Sequence, residues 1–105
     1  MPVVSVILPT YNRVAYLKKA VQSVCAQVFQ DWELVIVDDG STDETRDAVA
    51  GMGMSEKIKY HYQPNQGVAV ARNLGISRSA GQFIAFLDDD DEWLPENLKT
   101  QVEFM

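Results

Sequence analysis

Apolar and polar positions follow two rhythms along this chain, and the rhythms take turns. Val3 to Leu8 is a continuous, largely β-branched apolar run, the mark of a strand buried on both faces. From Val14 the apolar residues fall at Val14, Leu17, Val21, Val24 and Val28, one helical stripe, with Asn12 placed to cap it. Leu34 to Val37 predicts a second buried strand, and Gly40 permits the turn after it. Ser41 and Glu44 have the spacing of a capping box and open a short helix that fades near Gly51. Ile58 to Tyr62 predicts a third, weaker strand. A helix follows Gly67 and runs to about Ser79, with Gly81 closing it. Phe83 to Leu87 is the fourth strand. Pro95, after Trp93 and Leu94, stands as the first residue of a last helix. Gly51-Met52-Gly53-Met54 is the most flexible-looking connection.

Strands separated by helices must pair in parallel through right-handed crossovers. The predicted fold class is therefore α/β, a Rossmann-like open sheet of mostly parallel strands flanked by helices, with all 105 residues in one domain. Such sheets bind ligands in the crevice beyond the carboxyl ends of their strands. Thr10, Tyr11 and Asn12 follow the first strand, Asp38, Asp39 and Ser41 the second, and Asp88 to Asp91 the fourth. All three groups are expected on one rim.

Charge narrows the partners. Nine Lys and Arg against fifteen Asp and Glu leave a net charge of −6. That balance argues against a nucleic-acid partner and against docking on anionic lipid. No stretch reaches the length of a membrane span, and the first strand begins too early for a signal peptide. With one cysteine, Cys25, there is no internal disulfide. A cytoplasmic protein is expected, allowing for an anchor elsewhere in a longer parent. The last helix keeps Leu98 and Val102 in register without a C-cap before Met105, so a further segment is expected beyond it.

The chemistry concentrates in Asp88-Asp89-Asp90-Asp91. Carboxylates packed at the end of a buried strand repel one another. Water can solvate them as a plain acidic loop, or a hard cation such as Mg²⁺ or Mn²⁺ can bind among them. Their position at the carboxyl end of a strand favours the cation. Asp38 and Asp39 can accept hydrogen bonds from a ribose or a base edge, or cap the next helix. Pro9 sets the chain direction before Tyr11, whose ring can stack on a base or pack on the sheet edge. Arg72 can neutralise a phosphate or pair with the rim carboxylates. His61, Trp32, Trp93 and Cys25 read as structural. There is no glycine-rich phosphate loop after the first strand and no Walker lysine. Phosphates would then depend on a metal.

Val4-Ser5-Val6-Ile7-Leu8-Pro9-Thr10-Tyr11-Asn12, Val37-Asp38-Asp39-Gly40-Ser41-Thr42-Asp43, Asn65-Gln66-Gly67 with Ala71-Arg72-Asn73, and Phe86-Leu87 before the aspartates come in that order. Together they resemble the amino-terminal, nucleotide-binding half of a family 2 glycosyltransferase of GT-A fold. The resemblance implies a nucleotide-diphosphate-sugar donor, most often UDP-linked, Mn²⁺ or Mg²⁺, and inversion at the anomeric carbon. It implies that Tyr11 and Asp39 flank the base and that Arg72 lies near the nucleotide. Asp88-Asp89-Asp90 matches the D-x-D motif, with Asp90 the leading metal ligand, Asp88 a metal or ribose partner and Asp89 near the ribose. It places the catalytic base and the acceptor site, for a saccharide or lipid-linked saccharide, downstream of Met105. It leaves apolar surface open for self-association. A phospho-receiver module is the rival α/β reading. It fits poorly, because the third strand ends Tyr60-His61-Tyr62-Gln63 rather than in an acceptor aspartate. An inactive, donor-binding homologue is a third reading.

Overall fold

The computed structural model describes residues 2–52 and 56–104, so Gly53 and Met54 of the flexible-looking connection lie outside it. The elements are β1 (Val4–Thr10), α1 (Val14–Cys25), β2 (Trp32–Asp39), α2 (Thr45–Ala50), β3 (Ile58–Gln63), α3 (Val68–Ser77), β4 (Phe83–Phe86) and α4 (Asn97–Glu103). The strands pair in parallel in the order β3-β2-β1-β4. The expected α/β open sheet is thus what forms.

Strand alternation divides the core between the two sheet faces. Val4, Val6, Leu8, Leu34 and Ile36 face Leu17, Ala20, Val21 and Val24 of α1 and Leu98 of α4. Ile7, Val35 and Val37 face Ala71 of α3, with Leu74 packed alongside. A side chain at Gly75 would place its Cβ 2.6 Å from Ile7 Cγ2, so glycine is what lets α3 lie this close to the sheet. Both central strands are buried along their whole length, which is why apolar residues dominate them.

Helix boundaries depart from the sequence expectation for identifiable reasons. Val28 lies beyond α1 and is exposed, while its N–H donates to the Pro95 carbonyl at 2.8 Å. The buried Gln27 carboxamide donates to the Ser23 and Leu94 carbonyls and accepts from Leu98 N–H, tying the end of α1 to α4. Asn12 does not cap α1. It adopts φ 51°, and Arg13 occupies the cap position without a side-chain bond. The Ser41–Glu44 box is not formed either: α2 starts at Thr45, whose N–H and hydroxyl donate to Asp43. Gly81 lies past the end of α3 and instead donates its N–H to Ser5 Oγ on β1. Pro95 precedes the last helix by two residues, with Glu96 at the cap position. Asn12, Ser41 and Gly81 are each taken up by a partner from a distant segment rather than by a local cap.

At the amino end of the sheet lies a buried charge. Glu33 accepts from the Ser5 hydroxyl, the Ala80 N–H and Lys59 Nζ. Burial alone would raise its carboxyl. The hydrogen bonds from Lys59, Ser5 and Ala80 outweigh that and hold it below its ordinary value.

Candidate nucleotide and metal site

β1 has β2 on one side and β4 on the other, so the winding reverses at β1 and a crevice opens at its carboxyl end. The cleft there measures about 420 Å³. Pro9, Thr10 and Tyr11 come from the end of β1, Asp39 from the end of β2, and Asp88, Asp89 and Asp90 from the segment after β4. Arg13 and Val68 complete the wall. Pro9, Tyr11, Asp39, Asp88, Asp89 and Asp90, all expected at the rim, therefore meet in one cleft.

The four aspartates do not act alike. Asp88, Asp90 and Asp91 are exposed, and one carboxylate oxygen from each lies within 4.8 Å of the others. Asp89 turns inward, 9% exposed, and accepts from Thr10 Oγ1 at 3.0 Å. Burial pushes the Asp89 carboxyl up, against the Thr10 hydroxyl, the Arg13 guanidinium and the Tyr11 N–H, while neighbouring Asp90 adds to the rise. Three convergent, solvent-facing carboxylate oxygens are a donor set suited to Mg²⁺ or Mn²⁺. Nothing in the spacing of the run singled out Asp91 as the third member, because only the local turn (Asp91 N–H to the Asp88 carbonyl, 3.1 Å) brings it back to Asp88.

Two arginines face this charge. Arg13 Nη1 lies 3.3 Å from Asp90 Oδ2 and 3.6 Å from Asp89 Oδ1. Arg72 Nη2 lies 3.2 Å from Asp88 Oδ1, and its guanidinium carbon sits 5.7 Å from the centre of the Phe86 ring. Arg72 stands beside the cleft at Asp88 rather than in its wall. The sequence reading passed over Arg13. Its signal was a cation in the rim loop, directly after Tyr11-Asn12.

Asp38 and Asp39 point to opposite sides of the sheet, as adjacent strand residues must. Asp39 accepts from Gln63 Nε2 at 2.7 Å, Gln66 N–H at 2.8 Å and Gly67 N–H at 3.0 Å. It thus shapes the entrance to α3 while lining the cleft. Asp38 lies on the other face, accepting from Ser41 N–H and the Tyr60 hydroxyl, so it is not a cleft residue. Burial and the Asp38 carboxylate push the Tyr60 hydroxyl up to about 12.

Two loops that carry the site are clamped to each other. Asn12 Oδ1 accepts from Thr42 N–H at 2.7 Å and Asp43 N–H at 3.3 Å, and Asn12 N–H donates to Ser41 Oγ at 2.8 Å. Val14 N–H donates to Asp43 Oδ2. Gly40, at φ +85°, is required here, since a Cβ would lie 2.7 Å from Asn65 N. His61 lies on β3, outside the cleft wall, as expected, and burial together with Arg78 and Lys59 pushes its imidazole down. Cys25 is half-buried against the core, and burial raises its thiol. Trp32 is buried in the same core and Trp93 packs against it, as expected of both.

The all-parallel sheet with this crevice matches the GT-A fold of glycosyltransferases of known structure. The chain belongs to glycosyl transferase family 2, whose model matches residues 5–105. It is similar to the GalNAc(5)-diNAcBac-PP-undecaprenol beta-1,3-glucosyltransferase of Campylobacter jejuni, 41% identical over 98% of this chain and 34% of that protein. Among solved structures it is similar to S. aureus TarS in complex with UDP-GlcNAc, with TM-score 0.91 and 34% identity over 97% of this chain and 30% of that one. It is also similar to the mannosyltransferase PcManGT of Pyrobaculum calidifontis in complex with GDP-Man and Mn²⁺, with TM-score 0.89 and 28% identity over 97% of this chain and 32% of that one. The chain spans between 15% and 43% of the length of several curated relatives it matches. Among the described residues, no helix is long and apolar enough to cross a membrane.

Proposed function

We propose that this chain is the donor-binding part of a metal-dependent, inverting glycosyltransferase that uses a UDP-sugar. The observation that carries the reading is the meeting of Tyr11, Asp39 and Asp88 to Asp90 in one cleft. Tyr11, 46% exposed at the mouth, offers a ring face to the base. Asp39 keeps one of its four acceptor positions beyond the three already filled, enough for a base N–H. Thr10 holds Asp89 toward the ribose end. Asp90 and Asp88, with Asp91 beside them, would hold Mn²⁺ or Mg²⁺. A divalent cation bound there supplies Lewis-acid neutralisation of the charge that grows on the departing diphosphate. Arg72 adds a fixed positive charge beside Asp88.

In the proposed reaction an acceptor hydroxyl oxygen bonds to the anomeric carbon as the bond to the diphosphate oxygen breaks. The hydroxyl proton passes to a base. Every carboxylate of the cleft is engaged in this scheme, by protein donors or as a proposed metal ligand, so none is assigned as the base, and single displacement with inversion is proposed from membership of family 2. The base is accordingly assigned to a part of the whole protein outside these 105 residues. A saccharide or lipid-linked saccharide is the proposed acceptor. The Campylobacter relative, whose name carries an undecaprenol-linked substrate, supports the lipid-linked option and a role in cell-surface polysaccharide synthesis. The proposed setting is cytoplasmic. Exposed Phe83, Phe86, Leu94 and Phe104 support self-association of the isolated chain, which a clean monomer in light scattering would contradict.

Calorimetry with UDP and Mn²⁺ tests the reading. Binding should require the metal, and Asp90→Ala should weaken it by more than about 100-fold, beyond the 10–100-fold typical of groups one shell out. Because Asp90 is exposed, the melting temperature should hold. Equal UDP affinity with and without Mn²⁺ would refute metal dependence.

A further inference from the structure

We propose that Arg13 competes with a divalent cation for the Asp90 carboxylate and, once displaced, pairs with the donor's diphosphate. This rests on the donor-binding reading above. The two arginines at the cluster are held in different ways. The Arg72 guanidinium lies 5.7 Å from the centre of the Phe86 ring, and its Nε is buried without a hydrogen-bond partner. Arg13 has no ring beneath it: its carbonyl accepts from Leu17 N–H at 2.9 Å in the first turn of α1, and its side chain meets only Asp89 and Asp90 among the described residues. Its side chain is 51% exposed.

The contacts of Arg13 are those of an exchangeable ion pair. A single nitrogen, Nη1, serves both Asp89 at 3.6 Å and Asp90 at 3.3 Å. Arg13, like Arg72, meets its carboxylates through a single nitrogen, short of the two-nitrogen fork that makes a strong pair. An exposed, single-nitrogen pair contributes little and breaks easily. Asp90 is also the carboxylate that faces Asp88 and Asp91 in the candidate cation cluster. A divalent cation on the Asp90 carboxylate would stand close to the Arg13 guanidinium, and the two positive charges repel. The remaining donors of the Arg13 fork make no hydrogen bond among the described residues, and Arg13 lines the cleft with Tyr11 and Thr10. Planar donors at that place suit phosphate oxygens. Cation and diphosphate would then bind cooperatively, each lowering the cost of the other's arrangement.

The signature is a pair of opposite effects from one substitution. Mn²⁺ alone is titrated by electron paramagnetic resonance of the free ion, and UDP is titrated by calorimetry at saturating Mn²⁺. In Arg13→Gln, Mn²⁺ alone should bind about threefold to tenfold tighter, since a screened positive charge has left the cluster. UDP at saturating Mn²⁺ should bind about tenfold weaker. Arg13→Lys, which keeps the charge and loses the fork, should return the Mn²⁺ affinity to the wild-type value and recover UDP binding only in part. A role confined to holding the start of α1 would move both affinities the same way, and that result overturns the proposal, as does no change in either. If the wild-type protein binds Mn²⁺ but not UDP, the donor reading fails and the diphosphate half falls with it. The Mn²⁺ arm still decides whether Arg13 is the competing cation.

Discussion

The two ends of the sheet are built from the same ingredients, carboxylates beside cations, and do opposite things with them. At the amino end one carboxylate, Glu33, is 3% exposed and fully surrounded by the Ser5 hydroxyl, the Ala80 N–H and Lys59. At the carboxyl end three exposed carboxylates converge with only two arginines beside them. The first arrangement satisfies each oxygen with protein donors and has no room for anything else. The second leaves negative charge in excess and open to water. A carboxylate stitches strands together when the fold supplies all its donors, and it recruits a ligand when the fold withholds them.

The sharpest way to break that contrast is to remove Glu33. Glu33→Ala leaves the Ser5 hydroxyl and Ala80 N–H without their acceptor and should cost about 3 kcal/mol of stability. Chemical denaturation measures it, and UDP affinity at saturating Mn²⁺ should stay at the wild-type value. The pH dependence carries the same sign. The folded Glu33 carboxyl lies below its ordinary value of 4.5, so its contribution is complete above about that pH and is lost as the pH falls through the folded value. Melting temperatures of the wild type should therefore fall more steeply below pH 4.5 than those of Glu33→Gln. Parallel curves would remove Glu33 as the stitch.

A smaller effect tests the clamp that holds the rim loops. Asn12→Ala removes the acceptor for Thr42 and Asp43 N–H groups and leaves a non-glycine residue at φ 51°, which should cost about 1 kcal/mol. Asn12→Asp keeps both the acceptor and the tolerance for that backbone, so it should recover most of the loss in denaturant titrations. The smallest effect has the opposite sign. Asp89 is a rim carboxylate that burial pushes up, so its charge opposes folding where that of Glu33 supports it. With metal chelated, Asp89→Asn should be stabilising by about 0.5 kcal/mol, judged by the same titration. A loss comparable to that of Glu33→Ala would show that the two ends are not different after all.

The element types, the parallel sheet and the common rim were legible because Val3–Leu8, Leu34–Val37 and Phe83–Leu87 are apolar runs too short for helices and are punctuated by glycine and polar turns. Pro9, Tyr11, Asp39 and the aspartate run could be placed on one rim because a parallel sheet sends every strand's carboxyl end to the same side. Arg72 could be placed near them but not beside the Phe86 ring. Local chemistry could not reveal how Asn12, Ser41 and Gly81 are used. Each carries a good local cap signal, and each instead bonds a distant segment: Asn12 Oδ1 accepts from Thr42 and Asp43 N–H, Ser41 Oγ accepts from Asn12 N–H, and Gly81 N–H donates to Ser5 Oγ.

The chain's own pattern of apolar runs determined the layers, the strand direction and the edge on which the chemistry collects, because burial of those runs has few solutions. Tertiary structure alone decided which aspartate of four turns inward, that Asp91 joins Asp88 and Asp90, that Asp38 leaves the cleft and that Arg13 enters it. Identical side chains in a row carry no difference that local sequence can express. Their roles separate only when β1 brings Thr10 to one and the cap position of α1 and helix α3 bring arginines to others.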